Sequence, residues 1–160
     1  MLYVRRRCQR GVDYSRLIYN TMSEEWYYNG KPYEPTEEEL NSLVGFVYEI
    51  EEKNTGKKYI GKKGFWRSKI LPVTKTRKRR RRTLVESDWR KYYGSSALLK
   101  EMVIEHGEHI YNRVILKLCI SKGAMSYYEA KLQFENDVLL RDDYYNEFIG
   151  CKIHSKHVKL

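Results

Sequence analysis

Two tyrosines, Tyr48 and Tyr59, are separated by ten residues across a turn, in a lysine-rich part of the chain. A tyrosine hydroxyl can activate water for hydrolysis, although a free phenol with a pKa of about 10 is a weak base. Positive charge nearby favours the phenolate and lowers that pKa, an effect that we expect at Tyr48, with Tyr59 positioning water or phosphate. The alternative is simple packing of two rings across a hairpin. The lysines available to supply the charge are Lys57, Lys58, Lys62 and Lys63.

Glu129 is a further candidate, three residues after Ser126 in a stretch with helical periodicity. This Ser-to-Glu spacing is that of a capping box, in which the glutamate only stabilises the start of a helix. A carboxylate is also a ligand that Mg²⁺ accepts, with waters and phosphate oxygens completing its octahedron. The residues alone leave both interpretations open.

The positive charge of the chain is concentrated in one segment. The net charge is +10, yet residues 62–91 hold thirteen lysines and arginines against two acids, so the remainder is close to neutral. Such a patch indicates a polyanionic partner, and the aromatic residues around it favour nucleic acid over a solvated loop or a localisation signal. The residues expected to contact DNA are Lys75, Arg77, Lys78, Arg79, Arg80, Arg81, Arg82, Arg90 and Lys91.

Length and composition limit the class of protein. A chain of 160 residues is typical of one domain, and it contains no apolar run long enough to span a membrane. The N-terminus lacks the apolar region of a secretory signal. The three cysteines are odd in number and far apart, which favours a reducing compartment. We therefore expect an intracellular protein with no membrane partner.

Alternation of β-branched and aromatic residues predicts the strands. Strands at 44–52 and 57–63, joined by a turn with Asn54 and Gly56, form a hairpin that brings Tyr48 and Tyr59 into one sheet. Apolar residues on both sides of the basic run predict a second hairpin with a charged tip. Residues 112–119 predict a further strand from their β-branched content.

Capping patterns predict three helices. Thr36 with Glu39 begins a short one, Ser95 or Ser96 begins a second that ends at Gly107, and the third begins at Ser126. The side chains expected to face the core are Leu98, Leu99, Met102 and Val103 on the second helix, and Tyr127, Ala130, Phe134 and Val138 on the third.

The pattern Phe46-Val47-Tyr48, ten residues, then Tyr59-Ile60-Gly61 resembles the signature of the GIY-YIG nucleases. The glycine of the first triplet is missing, and Gly45 lies one position early. Later stretches resemble the family as well: SSALLKEMVIEHG, NRVILKLC, SYYEAKLQFE and YYN. YIGKKGFW and DWRKYYGSS resemble the freestanding homing-type endonucleases of large phages.

The resemblance implies the fold class α/β (α+β): a small three-stranded antiparallel sheet flanked by helices, with a basic β-hairpin-like insertion. It divides the chain into an N-terminal extension (1–43), a nuclease domain (44–150) that contains the insertion (64–91), and a basic tail (151–160).

The resemblance also implies a metal-dependent endonuclease that hydrolyses double-stranded DNA. Tyr48 and Tyr59 would be catalytic, and Glu129 would hold Mg²⁺ (or Mn²⁺), with Glu135 as the alternative ligand. Asn146 matches an asparagine of the family, where it would position phosphate or serve the structure.

The family also carries an arginine soon after the second triplet. Arg67 is the candidate here, with Lys63 and Arg90 as rivals. A non-catalytic nucleic-acid-binding protein with the same fold and a basic ribonucleoprotein component are the alternative functions. Monomer and dimer both stay open, and we expect a cytoplasmic location, in the host cell if a phage encodes the protein.

Overall fold

The computed structural model describes residues 25–76 and 78–158, which contain seven strands and three α-helices. The strands are β1 (Trp26–Tyr28), β2 (Lys31–Pro32), β3 (Gly45–Glu52), β4 (Lys58–Gly64), β5 (Trp66–Leu71), β6 (Arg81–Glu86) and β7 (Tyr111–Cys119). The α-helices are α1 (Glu37–Ser42), α2 (Ala97–His106) and α3 (Lys122–Glu135); short 3-10 helices span Trp89–Lys91, Glu108–Ile110 and Ser155–His157. Five strands form one sheet in the order β2-β1-β7-β3-β4, and β5 pairs with β6. The predicted mixed α/β fold class is confirmed.

Strand β3 lies in the middle of the predicted part of the sheet, between β7 and β4 and antiparallel to both. Its side chains alternate between the two faces, as a pleated strand requires. Phe46, Tyr48 and Ile50 join a core that includes Leu99 of α2. Val47 joins a second core with residues of α3. The sheet therefore carries a separate hydrophobic core on each face, and β4 forms one of its two edges.

The sheet has two more strands than the sequence predicts, and both come from the segment assigned to the N-terminal extension. Strand β1 runs parallel to β7 and turns back through Asn29 and Gly30 into β2. Trp26 explains why this segment packs onto the domain. Its ring is only 2% exposed, lies 5.0 Å from the ring of Phe46, and donates a hydrogen bond of 2.7 Å to the Trp89 carbonyl.

Helix α1 begins at the predicted residue, and α2 begins and ends at the predicted ones. The Thr36 hydroxyl accepts from the Glu39 amide at the start of α1, and Ser96 caps α2 in the same way. Helix α2 ends at Gly107, whose φ of 86° favours glycine. The predicted burial of Leu98 is wrong, because this side chain lies on the cleft side of α2 and is 39% exposed.

Helix α3 begins five residues earlier than predicted. Ser121, not Ser126, is its N-cap, and the Ser121 hydroxyl accepts from the Ala124 amide. The capping-box interpretation of Glu129 is therefore wrong, because Glu129 lies in the middle of the helix. The predicted apolar stripe is also wrong at Phe134, which is 60% exposed. The same correction applies to Tyr127, since the residues that face the core are Ala124, Met125, Ala130 and Gln133.

The predicted basic insertion is a two-stranded hairpin formed by β5 and β6. Trp66 pairs with Glu86 at its base, and Leu71 pairs with Arg81 at its tip. Ile70 on one strand and Leu84 on the other are more than half exposed. The hairpin therefore projects from the domain as an arm rather than packing onto it.

No helix in the described part of the chain is long and apolar enough to cross a membrane. Cys119 is a buried free thiol and Cys151 is an exposed one.

We expect Trp26→Ala to lower the free energy of unfolding by about 3–5 kcal/mol, because it removes a buried indole and its hydrogen bond. Glu34→Ala, at an exposed site in the same segment, is the control and should have a small effect. Urea denaturation measures both. Equal stability of the two variants would show that β1 contributes nothing to the domain.

Candidate active site

The free edge of β4 is covered by the segment 143–146 and by one side chain of α3. The Lys58 amide donates to the Asp143 carbonyl, and the Tyr145 amide donates to the Lys58 carbonyl. At Ile60 the hydrogen-bond partners of the strand are side chains instead of backbone groups. The Asn146 amide oxygen accepts from the Ile60 N–H at 2.9 Å, while its NH₂ group donates to the Ile60 carbonyl at 2.8 Å. Gln133 donates to the same carbonyl at 2.9 Å. Asn146 therefore has a structural role at the strand edge.

A cleft of about 540 Å³ lies along this edge, between the start of α2, the middle of α3 and the segment 145–150. It brings together three of the predicted site residues, Tyr59, Glu129 and Asn146. Two further polar residues of the wall, Lys62 and Ser95, were not among the predicted site residues. The cleft is the place in the described chain where the predicted chemistry converges.

The two tyrosines lie on the same face of the β3–β4 hairpin, with ring centroids 6.2 Å apart. Tyr48 is paired with Gly61 across the hairpin, and its ring crosses over that glycine. A methyl group at residue 61 would lie 2.6 Å from the Tyr48 hydroxyl and 2.8 Å from the Tyr59 ring. The glycine of the second triplet is therefore required by the close approach of both tyrosines.

Tyr48 does not have the electrostatic environment that its sequence neighbours predict. Burial raises its pKa well above the usual value, and Tyr92 and Tyr59 raise it further. Its hydroxyl meets no partner with hydrogen-bonding geometry within the described residues, although Tyr92 is close enough to affect the pKa. The expectation that lysines lower the pKa of Tyr48 is wrong, because each of these lysines contacts another side chain instead. Lys57 lies over the Tyr145 ring, Lys58 binds Glu49, Lys62 binds Glu129, and Lys63 binds Asp88.

Tyr59, unlike Tyr48, lines the cleft. Its hydroxyl lies 2.7 Å from the Ser95 hydroxyl, just before the N-cap of α2. Burial raises the pKa of Tyr59, and the hydrogen bond with Ser95 acts against that rise. Tyr59 is therefore a neutral phenol at pH 7 that is held in place and can reach a molecule in the cleft.

Glu129 faces the same cleft from α3 and forms an ion pair with Lys62. The Lys62 ammonium lies 2.6 Å from Glu129 Oε2 and donates to the Ser126 hydroxyl at 3.2 Å. Within the described residues there is no cluster of three acidic, histidine or cysteine side chains that could hold a metal ion. Glu129 is one of three glutamates that line the open cleft, with Glu101 and Glu147. Such a wall fits Mg²⁺, which keeps several waters and uses one or two protein carboxylates. Glu135 lies outside the cleft and pairs with Lys131.

The candidates for the arginine of the family all lie outside the cleft: Arg67, Lys63 and Arg90. Arg67 is an exposed residue of β5. The Lys63 ammonium binds Asp88 at 2.6 Å and lies 3.6 Å from the Tyr92 ring centre. Arg90 pairs with Glu86 and stacks on Trp89. Among the described residues, Lys62 is the cation that lines the cleft. Strand alternation did not predict this position, because Lys62 points to the opposite face of the sheet from Tyr59.

The residues predicted to contact DNA lie mostly on the arm. Lys75, Lys78, Arg79 and Arg80 are in the loop between β5 and β6, Arg81 and Arg82 begin β6, and Lys91 ends a 3-10 helix. All seven side chains are exposed. Arg77 lies outside the described residues.

A sequence model of a protein family, described as "Putative endonuclease segE, GIY-YIG domain", matches residues 26–149. The chain belongs to this GIY-YIG endonuclease family. The match begins at Trp26, so it includes the strands β1 and β2 that the sequence resemblance left out. No curated protein and no solved structure matches the chain.

Membership of the GIY-YIG family makes the protein a nuclease, an enzyme that hydrolyses phosphodiester bonds, with DNA as the substrate that an endonuclease domain implies. Nucleases of this family generally depend on a divalent metal ion. The cleft beside β4 has the groups for such a reaction: a phenol, a carboxylate and an ammonium group.

We expect Tyr59→Phe to slow single-turnover DNA cleavage by about 10²–10⁴-fold, because it removes the hydroxyl that reaches the cleft. Tyr48→Phe should have a much smaller effect on the rate, since its hydroxyl is buried behind Gly61. Tyr28→Phe, a half-buried tyrosine on β1, controls for loss of a phenol elsewhere. A larger loss from Tyr48→Phe than from Tyr59→Phe would assign the catalytic hydroxyl to Tyr48.

Proposed function

We propose that the protein is a metal-dependent endonuclease that hydrolyses double-stranded DNA in the cleft beside β4. The observation that supports this function is the convergence of Tyr59, Glu129 and Lys62 on one cleft. Hydrolysis of a phosphodiester requires an oriented water, positive charge at the phosphate and stabilisation of the leaving oxygen. The first two requirements have candidate groups within this cleft.

Tyr59 orients the attacking water. As a neutral phenol its oxygen accepts a hydrogen bond from that water, and Ser95 fixes the direction of the hydroxyl. Conversion of Tyr59 into a base requires nearby positive charge, because burial has raised its pKa. Tyr48 has a packing role: its ring lies against Gly61 and beside the ring of Tyr59, and so helps to hold Tyr59 in place.

Glu129 is the residue that would hold Mg²⁺ or Mn²⁺. When bound, such an ion withdraws charge from the phosphate and makes phosphorus more open to attack. Asn146 contributes by fixing Ile60 and therefore the position of Tyr59 one residue earlier. We propose that the site holds one ion, at Glu129, so that each active site cuts one strand at a time and double-strand breaks need a dimer or two successive nicks.

The arm formed by β5 and β6 supplies affinity for the DNA backbone. Its exposed arginines and lysines neutralise phosphates and release counterions, a contribution that is independent of sequence. Lys63, Arg67 and Arg90 belong to the same basic surface, outside the cleft, and would contact flanking phosphates. This assignment replaces their predicted role as the arginine of the family.

A biological role as a freestanding homing-type enzyme of a phage is part of the proposal, and the stretches YIGKKGFW and DWRKYYGSS support it. A cytoplasmic location is proposed with it, supported by the free thiols of Cys119 and Cys151.

The alternative is a nucleic-acid-binding protein that keeps the fold and has lost catalysis. One observation favours it: the Glu129 carboxylate already has a cationic partner in Lys62. Plasmid relaxation with Mg²⁺ and with EDTA decides between the two functions. Nicking that depends on the metal supports the endonuclease, whereas DNA binding without nicking supports the alternative.

We expect Glu129→Gln to abolish Mg²⁺-dependent nicking while DNA binding and folding are retained, because one carboxylate oxygen is replaced at a site on the cleft wall. Glu135→Gln is the matched control on the same helix, outside the cleft. Plasmid relaxation measures nicking, and electrophoretic mobility shift measures binding. Full activity of Glu129→Gln would eliminate the proposed metal site.

Replacement of Arg79, Arg80, Arg81 and Arg82 by serine should flatten the salt dependence of DNA binding. The slope of log K against log salt should change by about 0.9 for each duplex phosphate that the arm no longer neutralises. Lys31→Ser, on the far edge of the sheet from β4, should leave the slope unchanged. Single-turnover cleavage at saturating enzyme and low salt should keep the parental rate. An unchanged slope would show that the arm does not touch DNA.

A further inference from the structure

Lys62 occupies the position beside Glu129 that a metal ion would need. Its ammonium group lies 2.6 Å from Glu129 Oε2, so it fills the space that an ion bound to this oxygen at about 2.0–2.1 Å would occupy. The Glu129 side chain is only 16% exposed, and the ammonium group and an ion would compete for the same carboxylate oxygen. An ion that binds Oε2 therefore requires Lys62 to move away.

The Lys62 ammonium group can move from Glu129 into the cleft. It belongs to the edge strand β4, three residues after Tyr59, and both side chains line the same cleft. Its flexible four-carbon chain carries a charge that can move while the backbone stays fixed. A DNA phosphate in the cleft would attract the ammonium group away from Glu129, and no arginine of the described chain lines that cleft to compete for the phosphate.

We propose that Lys62 is the phosphate-contacting residue of the cleft, and that its ion pair with Glu129 weakens metal binding until DNA draws the lysine away. This inference rests on the proposed endonuclease function. It couples two binding events, so DNA raises the affinity for the metal and the metal raises the affinity for DNA by the same factor. The ion pair thereby keeps the metal site closed in the protein that has no substrate.

Lys58 provides a matched control on the same strand. Its ammonium binds Glu49 at 3.1 Å, and its side chain is 31% exposed, against 33% for Lys62. Neither Lys58 nor Glu49 lines the cleft. Lys58→Met therefore removes the same charge and the same type of ion pair without touching the proposed site.

The test is titration of Mn²⁺ into the full-length protein without DNA, followed by electron paramagnetic resonance. Mn²⁺ accepts the oxygen ligands that Mg²⁺ accepts. Lys62→Met should bind Mn²⁺ about tenfold more tightly than the parent, because a competing positive charge is removed. Lys58→Met should bind with the parental affinity, and Glu129→Gln should lose the site. Lys62→Gln is a second variant that keeps a polar side chain and should behave like Lys62→Met.

A duplex with an uncleavable phosphorothioate linkage tests the coupling. It should tighten Mn²⁺ binding to the parent and to Lys58→Met by a larger factor than to Lys62→Met, because the phosphate offers the ion a ligand in all three proteins but displaces a lysine only in the first two. Parental Mn²⁺ affinity of both Lys62 variants without DNA would overturn the inference. If the parent nicks DNA with Mg²⁺ in that case, the proposed function stands and only the role of Lys62 fails, whereas a parent without metal-dependent nicking refutes the function itself.

Discussion

The backbone N–H and C=O of Ile60 face away from the sheet, and the side chains of Asn146 and Gln133 bind them. An edge strand usually presents such groups to another chain, where they invite pairing. Here two amide side chains satisfy them while leaving the space beside the strand open. The cleft, the position of Tyr59 and the approach of Glu129 all depend on this arrangement. Because Ile60 lies between them, Tyr59 and Gly61 are fixed by the same contacts.

An edge strand can present residues from both of its faces to one space. Tyr59 belongs to the core shared with α2, whereas Lys62 points toward α3, where Glu129 lies. In the interior of a sheet these side chains would be separated by the sheet itself. At the edge they meet, so a phenol from one layer and an ion pair from the other can act on a single phosphate. The arm extends from the end of the same strand, which places the basic surface and the cleft on one continuous segment of chain.

Sequence patterns predicted the parts of the site that rest on local rules. The spacing of Tyr48 and Tyr59, the turn between them and the glycine at residue 61 follow from hairpin geometry and from close ring packing. Lys62 could not be found by strand alternation, because its proximity to Tyr59 depends on β4 being an edge. The start of α3 was misplaced because Ser121 and Ser126 are both acceptable caps, and packing of Ala124 and Met125 decides between them. Strands β1 and β2 are too short for a periodic signal, and the burial of Trp26 is a tertiary effect.

Cleavage of the protein by bound iron shows where the metal ion lies. Fe²⁺ replaces Mg²⁺ on the protein–DNA complex, peroxide and ascorbate generate hydroxyl radicals at the ion, and mass spectrometry locates the broken backbone. With the ion at Glu129, we expect breaks in β4 near Ile60 and in α3 near Glu129, two elements of the cleft wall. Breaks confined to the β5–β6 arm or to the tail after residue 150 would contradict this placement.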